Sequence, residues 1–180
     1  MKKILVFAMA LMTGLVACKK DNDNKTPSPS TPVLPKGEDP KIENTLQVKL
    51  NGELKVANYS VKATYQEKIS QMLIAAVGTK DNNTMQIGLA IGDFKGVGAY
   101  TLGTLDSRDF GNTATYYDSE VGYECIERFK ETKGTLNVTE YKEGQLLKGN
   151  FQFKAKKTGT SGATAEYAEF TEGSFNIKLN

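Results

Sequence analysis

The chain has no histidine and no tryptophan, and holds only two cysteines in 180 residues. Without histidine it lacks the usual base for a serine or cysteine nucleophile and the commonest zinc ligand. An enzyme built from these residues would have to work through paired carboxylates. No metal or organic cofactor is implied. Proline is absent beyond residue 40, its five copies all lying between Pro27 and Pro40. Charge of one sign is lacking too, since the formal balance is only +2. A nucleic-acid wrapper needs a cationic face, so no nucleic-acid partner is expected. Long apolar runs are missing as well, and no segment reaches the roughly 20 residues a membrane helix requires.

One shorter apolar run stands at the start. Lys2 and Lys3 form a positive n-region, Ile4 to Val16 supply thirteen mostly apolar residues, and Leu15-Val16-Ala17-Cys18 follows as a bacterial lipobox. Bulky Leu15 argues against an ordinary small-x-small cleavage site, so residues 1–17 read as a lipoprotein signal peptide. Cys18 then becomes the first residue of the mature chain, acylated on sulfur and nitrogen. At about 0.8 kcal/mol per buried methylene, three acyl chains approach permanent anchoring. The expected partner is the outer membrane, reached through this lipid. Loss of Lys2 and Lys3 leaves 21 basic against 21 acidic side chains, a neutral mature protein. Cys125 has no disulfide partner within it and reads as a small buried apolar residue.

Residues 18–43 are rich in Lys, Asp, Asn, Thr and Ser, with Val33, Leu34 and Ile42 the only aliphatic side chains. Such a segment buries too little apolar surface to offset its ordering entropy and is expected to be a disordered tether. It would span roughly 30 Å as a coil and about 80 Å as polyproline II. Lys19-Lys20-Asp21-Asn22-Asp23 resembles the lysine-then-acidic export signals carried by many Bacteroidota lipoproteins behind the lipidated cysteine. The resemblance implies display on the cell exterior through Lys19, Lys20, Asp21 and Asp23. The alternatives are a plain solvated linker and a lipoprotein facing the periplasm.

Residues 44–180 fit one domain, and its apolar residues alternate. In Leu147–Lys156 the odd positions are apolar or small and the even ones polar, as a strand with one wet face demands. Phe175, Ile177 and Leu179 repeat the pattern, and so do Met85, Ile87, Leu89 and Ile91. Asn51-Gly52 signals a tight hairpin, while Lys80 to Asn83 and Glu143-Gly144 mark further turns between strands that follow one another in sequence. Met72 to Val77, apolar throughout, reads as a central strand covered on both faces. Phe170 breaks the odd-numbered parity of Phe175 to Leu179, which predicts a β-bulge near Thr171-Glu172-Gly173. The expectation is an all-β, antiparallel sandwich or up-and-down barrel of roughly 8–10 strands.

Gly98-Ala99-Tyr100-Thr101-Leu102, Gly134 to Thr139, Leu147 to Phe153 and Phe170 to Ile177 resemble the closing strands of a domain-of-unknown-function family of Bacteroidota lipoproteins. That family implies the same layout of signal, polar linker and one β domain. It brings no catalytic residues with it.

Candidate sites are few. Asp106, Asp109, Asp118, Glu120, Glu124, Glu127 and Glu131 crowd together with Tyr116 and Tyr117. Carboxylates at this density suit Ca²⁺ or a glycosidase acid–base pair, yet no EF-hand-like spacing is present, and the plain alternative is solvent-facing charge. Exposed tyrosines beside acids suit a glycan or a protein surface, which nominates Tyr116, Tyr117, Asp118 and Glu120 as ligand contacts. Gly159 to Thr164 reads as a mobile hairpin tip. The sequence thus favours a membrane-anchored binding or accessory module. A lipocalin-like barrel carrying an apolar small molecule is second, and a carboxylate-dependent glycoside hydrolase third.

Overall fold

A computed structural model describes residues 44–80, 83–105 and 110–179. The signal residues, Cys18 and the export residues Lys19 to Asp23 lie outside the described residues, as do Asp106 and Asp109. Twelve strands are formed and no α-helix is present among the described residues. In chain order they are β1 (Thr45–Leu50), β2 (Glu53–Ala57), β3 (Ser60–Gln66), β4 (Gln71–Lys80), β5 (Asn83–Ile91) and β6 (Gly98–Leu102). Then come β7 (Thr104–Leu105), β8 (Gly111–Tyr117), β9 (Gly122–Cys125), β10 (Gly134–Lys142), β11 (Leu146–Lys157) and β12 (Tyr167–Lys178). The count exceeds 8–10 because β7 and β9 are fragments of two and four residues.

All pairings are antiparallel and curl into a nearly closed barrel. The path runs β2-β1-β12-β11-β9-β8-β5-β4-β3, and β10 joins β11 to β6. Long β11 lies against β12 on one edge and divides the other, giving Leu146 to Phe153 to β10 and Lys156–Lys157 to β9. Sequence neighbours pair in most hairpins, but β1–β12, β5–β8, β6–β10 and β9–β11 join strands remote in sequence. The seam falls between β2 and β4. There the Asn58 side chain replaces a strand backbone, donating Nδ2–H to Thr79 O at 3.3 Å and accepting Thr79 N–H at 3.0 Å.

The turns follow the sequence chemistry. Asn51 and Gly52 sit at φ 47° and 88°, closing a two-residue hairpin at the pair Leu50 and Glu53. Both angles belong to the left-handed region that Asn and Gly tolerate. The predicted bulge is present, with Thr171 and Glu172 facing Gln152 alone between the pairs Phe151–Gly173 and Phe153–Phe170. Glu172 takes φ 51° there. Its insertion turns Phe170 and Phe175 to the same side of the sheet, so both are buried.

The interior is filled with rings. Phe170 packs against Phe153, Tyr116 and Tyr123 at centroid separations of 4.3, 5.4 and 5.8 Å, and Phe151 links Phe153 to Phe175. These rings stand in the barrel interior, where a lipocalin-like carrier would hold its cargo. Cys125 is fully buried, as expected for a small apolar residue. The structure corrects the reading of β4: Met72, Ile74 and Ala76 are buried, but Leu73 and Val77 are half-buried and Ala75 is exposed. Among the described residues no layer lies outside β4, so an apolar run there is covered on the inner side only.

Candidate functional site

The strands that end around the β4–β5 turn leave a cleft. Its volume is about 520 Å³, within the range of small-ligand sites. One wall is edge strand β2, the second is the end of β4 with the start of β5, and the third is the turn from β8 to β9. The other end of β4 and β5 is closed by Phe94, whose ring meets those of Tyr65, Tyr100 and Tyr141.

The β8–β9 turn is built around Asp118. Its Oδ1 accepts the backbone N–H of Glu120 at 2.9 Å and of Val121 at 2.8 Å, and its own N–H donates to Val121 O at 2.9 Å. A short acidic side chain is suited to this, because it offers the chain the bonds a continuing strand would otherwise make. The turn is pinned to the β4–β5 hairpin by Ser119, whose hydroxyl donates to Asn83 Oδ1 at 3.2 Å. Tyr116 donates its hydroxyl to Asp118 Oδ2 at 3.3 Å. Burial of its ring, then the charge and hydrogen bond of Asp118 and the charge of Glu53, hold this phenol well above its usual pKa. It is a neutral donor at the floor of the cleft.

Of the four nominated contacts, Tyr116, Asp118 and Glu120 line the cleft and Tyr117 does not. The two tyrosines point to opposite faces because strand side chains alternate. Tyr116 is not an exposed aromatic, contrary to expectation, being only 1 % accessible. Its ring belongs to the core and its hydroxyl bonds Asp118 beside the cleft. Tyr117 is on the outer face, donating to Glu124 Oε1 at 2.8 Å.

Of the crowded carboxylates, Glu124 and Glu131 have partners on the barrel surface away from the cleft. Glu124 also receives Arg128 at 3.1 Å, and Glu131 accepts the Tyr167 hydroxyl at 2.6 Å. Among the described residues no group of three or more Cys, Asp or Glu side chains is placed to hold a metal ion. The Gly159 to Thr164 tip is exposed for the most part but internally bonded, with Thr160 Oγ1 donating to Lys157 O and accepting Glu166 N–H.

Sequence reasoning missed the β2 wall: Glu53, Leu54, Lys55 and Val56. The alternation of Leu54 and Val56 reads as a core face, yet they are 53 % and 46 % exposed. Glu53 and Lys55 form an ion pair of 2.8 Å on the inner face instead. Asn51-Gly52 located this strand but could not say which of its faces would meet the core.

No curated protein and no solved structure matches the chain. A family model, that of the domain of unknown function DUF6252, matches residues 43–177. That span takes in every strand of the barrel except its final residue, and the chain belongs to the DUF6252 family.

Proposed function

We propose that this protein is a lipoprotein, held on the outer membrane by acylated Cys18, whose barrel serves as a binding or accessory module on the cell exterior. The ligand site is the cleft between β2 and the β8–β9 turn, and the ligand is a glycan or a protein segment. The observation that carries the reading is the cleft itself, where Tyr116 Oη, Asp118 and Glu120 share a concave space with the edge of β2. A rigid barrel wall with a few convergent polar groups is the usual setting of a recognition site. Leu15-Val16-Ala17-Cys18 supports the anchor, and Lys19 to Asp23 support display outside the cell.

The anchor is tested by Cys18→Ser. The variant is expected to leave the membrane fraction and to lose incorporation of a clickable fatty acid; retained labelling and sedimentation would sink this reading. Binding is tested by a glycan array probed with the full chain and with Glu120→Lys. Signals lost only in the variant support the cleft.

A further inference from the structure

We infer that the cleft takes an extended cationic peptide as an added strand on β2, its main chain pairing with Leu54 and a lysine or arginine side chain lying among Glu53, Asp118 and Glu120. This rests on the cleft being the ligand site and names the class of partner.

Hairpin geometry supplies the first argument. In a two-residue hairpin the closing pair exchanges both hydrogen bonds, so Leu50 and Glu53 bond each other and the register carries this on to Val48–Lys55 and Leu46–Ala57. The N–H and C=O groups of Leu54 and Val56 therefore point away from β1. Among the described residues β2 has no ladder partner other than β1. The Val56 carbonyl is abutted by Gly78 of β4, where even a Cβ would overlap it. Leu54, further toward the turn, opens onto the cleft. The gap is thus a wedge that closes at Gly78 and admits a short extended segment from the hairpin side, the geometry of strand addition.

Charge is the second argument. Among the described residues that line the cleft there are three carboxylates, Glu53, Asp118 and Glu120, and one ammonium, Lys55, which Glu53 engages. A guest side chain of positive sign complements this acidic lining. Exposed edges are commonly blunted by charge or proline; β2 carries Glu53 and Lys55 on its inner face, while its outer face presents Leu54 and Val56. A sugar would seek an aromatic platform, and among the described residues the one aromatic ring lining the cleft, Tyr116, packs on Phe170 and Tyr123.

The test titrates the full-length chain against a fluorescent, end-blocked seven-residue peptide of alternating threonine and valine with a central lysine. Saturable binding is expected, weaker by about tenfold or more with central glutamate and lost when the flanking amides are N-methylated. Leu54→Pro, which removes the outward N–H, is expected to abolish binding, with circular dichroism reporting its fold. Glu120→Lys on the exposed turn provides a second arm and should weaken the lysine peptide by about tenfold. Equal binding of the N-methylated peptide, or no saturable binding of the lysine peptide, overturns the inference. If an oligosaccharide then binds and is lost in Glu120→Lys, the cleft stands as a glycan site; if neither ligand binds, the cleft reading falls as well.

Discussion

Phe153 and Phe170 stack face to face, centroids 4.3 Å apart and planes 12° from parallel, at the pair that borders the bulge of β12. This contact joins the two strands with the longest shared register to the ring cluster of the interior. Phe170→Ala is expected to cost about 3–5 kcal/mol through lost transfer energy and a residual cavity. Gln152→Ala, exposed opposite the bulge, should stay within about 0.5 kcal/mol. Urea melts decide it, and comparable losses at the two sites would mean that the interior is not packed as described.

Close backbone approach makes a second prediction. A Cβ at Gly149 would overlap the Asn137 backbone carbonyl and the Phe175 ring, whereas one at Gly88 would meet only the Thr115 hydroxyl, which can rotate away. Gly149→Ala should therefore destabilise by about 1–3 kcal/mol or more, and Gly88→Ala by clearly less. Thermal midpoints of the two variants give the comparison.

The adjacent tyrosines should behave oppositely. Tyr116→Ala removes a core ring and is expected to cost about 3–5 kcal/mol, while Tyr117→Ala removes one surface hydrogen bond and should cost about 1 kcal/mol or less. Tyr116→Phe keeps the ring and deletes only the donor to Asp118. Its binding defect, measured with stability nearly intact, would separate the two roles of Tyr116.

Burial pushes the Cys125 thiol up to about 11, against a lowering by its hydrogen bond with Thr132. A thiol raised in the folded state ionises first in the unfolded chain. Its contribution to stability is full below an unfolded pKa of about 9 and is lost as pH rises from there through about 11. Cys125→Ala should flatten that alkaline limb in melts at pH 8 to 11. In the native wild-type chain a thiol reagent at pH 8 should label Cys125 only upon unfolding.

Display outside the cell is checked by protease on intact cells. The domain is expected to be lost, and replacement of Lys20, Asp21 and Asp23 by Ala should protect it. Protection of the unaltered protein until lysis would place it in the periplasm.

Much of the barrel was legible because the pleat of a strand has a period of two and leaves its mark on neighbouring residues. Leu147 to Lys156 gave its strand and inner face, Asn51-Gly52 its hairpin, and the broken parity of Phe170 its bulge, each from a window of a dozen residues or fewer. Leu54 and Val56 show the limit. Their alternation is the same as that of a core strand, and only the position of β2 at the seam, where no described residue forms a layer outside, leaves them exposed. Tyrosine at 116 or 117 suits either face, and the direction of β8 sends one ring to Phe170 and the other to Glu124. The hairpin turn at Asn51-Gly52, the inner face of β11 and the bulge of β12 were set by local sequence, since each depends on a few adjacent residues. The cleft was decided by tertiary structure alone, because its walls come from residues near 53, 79 and 118 that meet only where the two edges of the barrel fail to close.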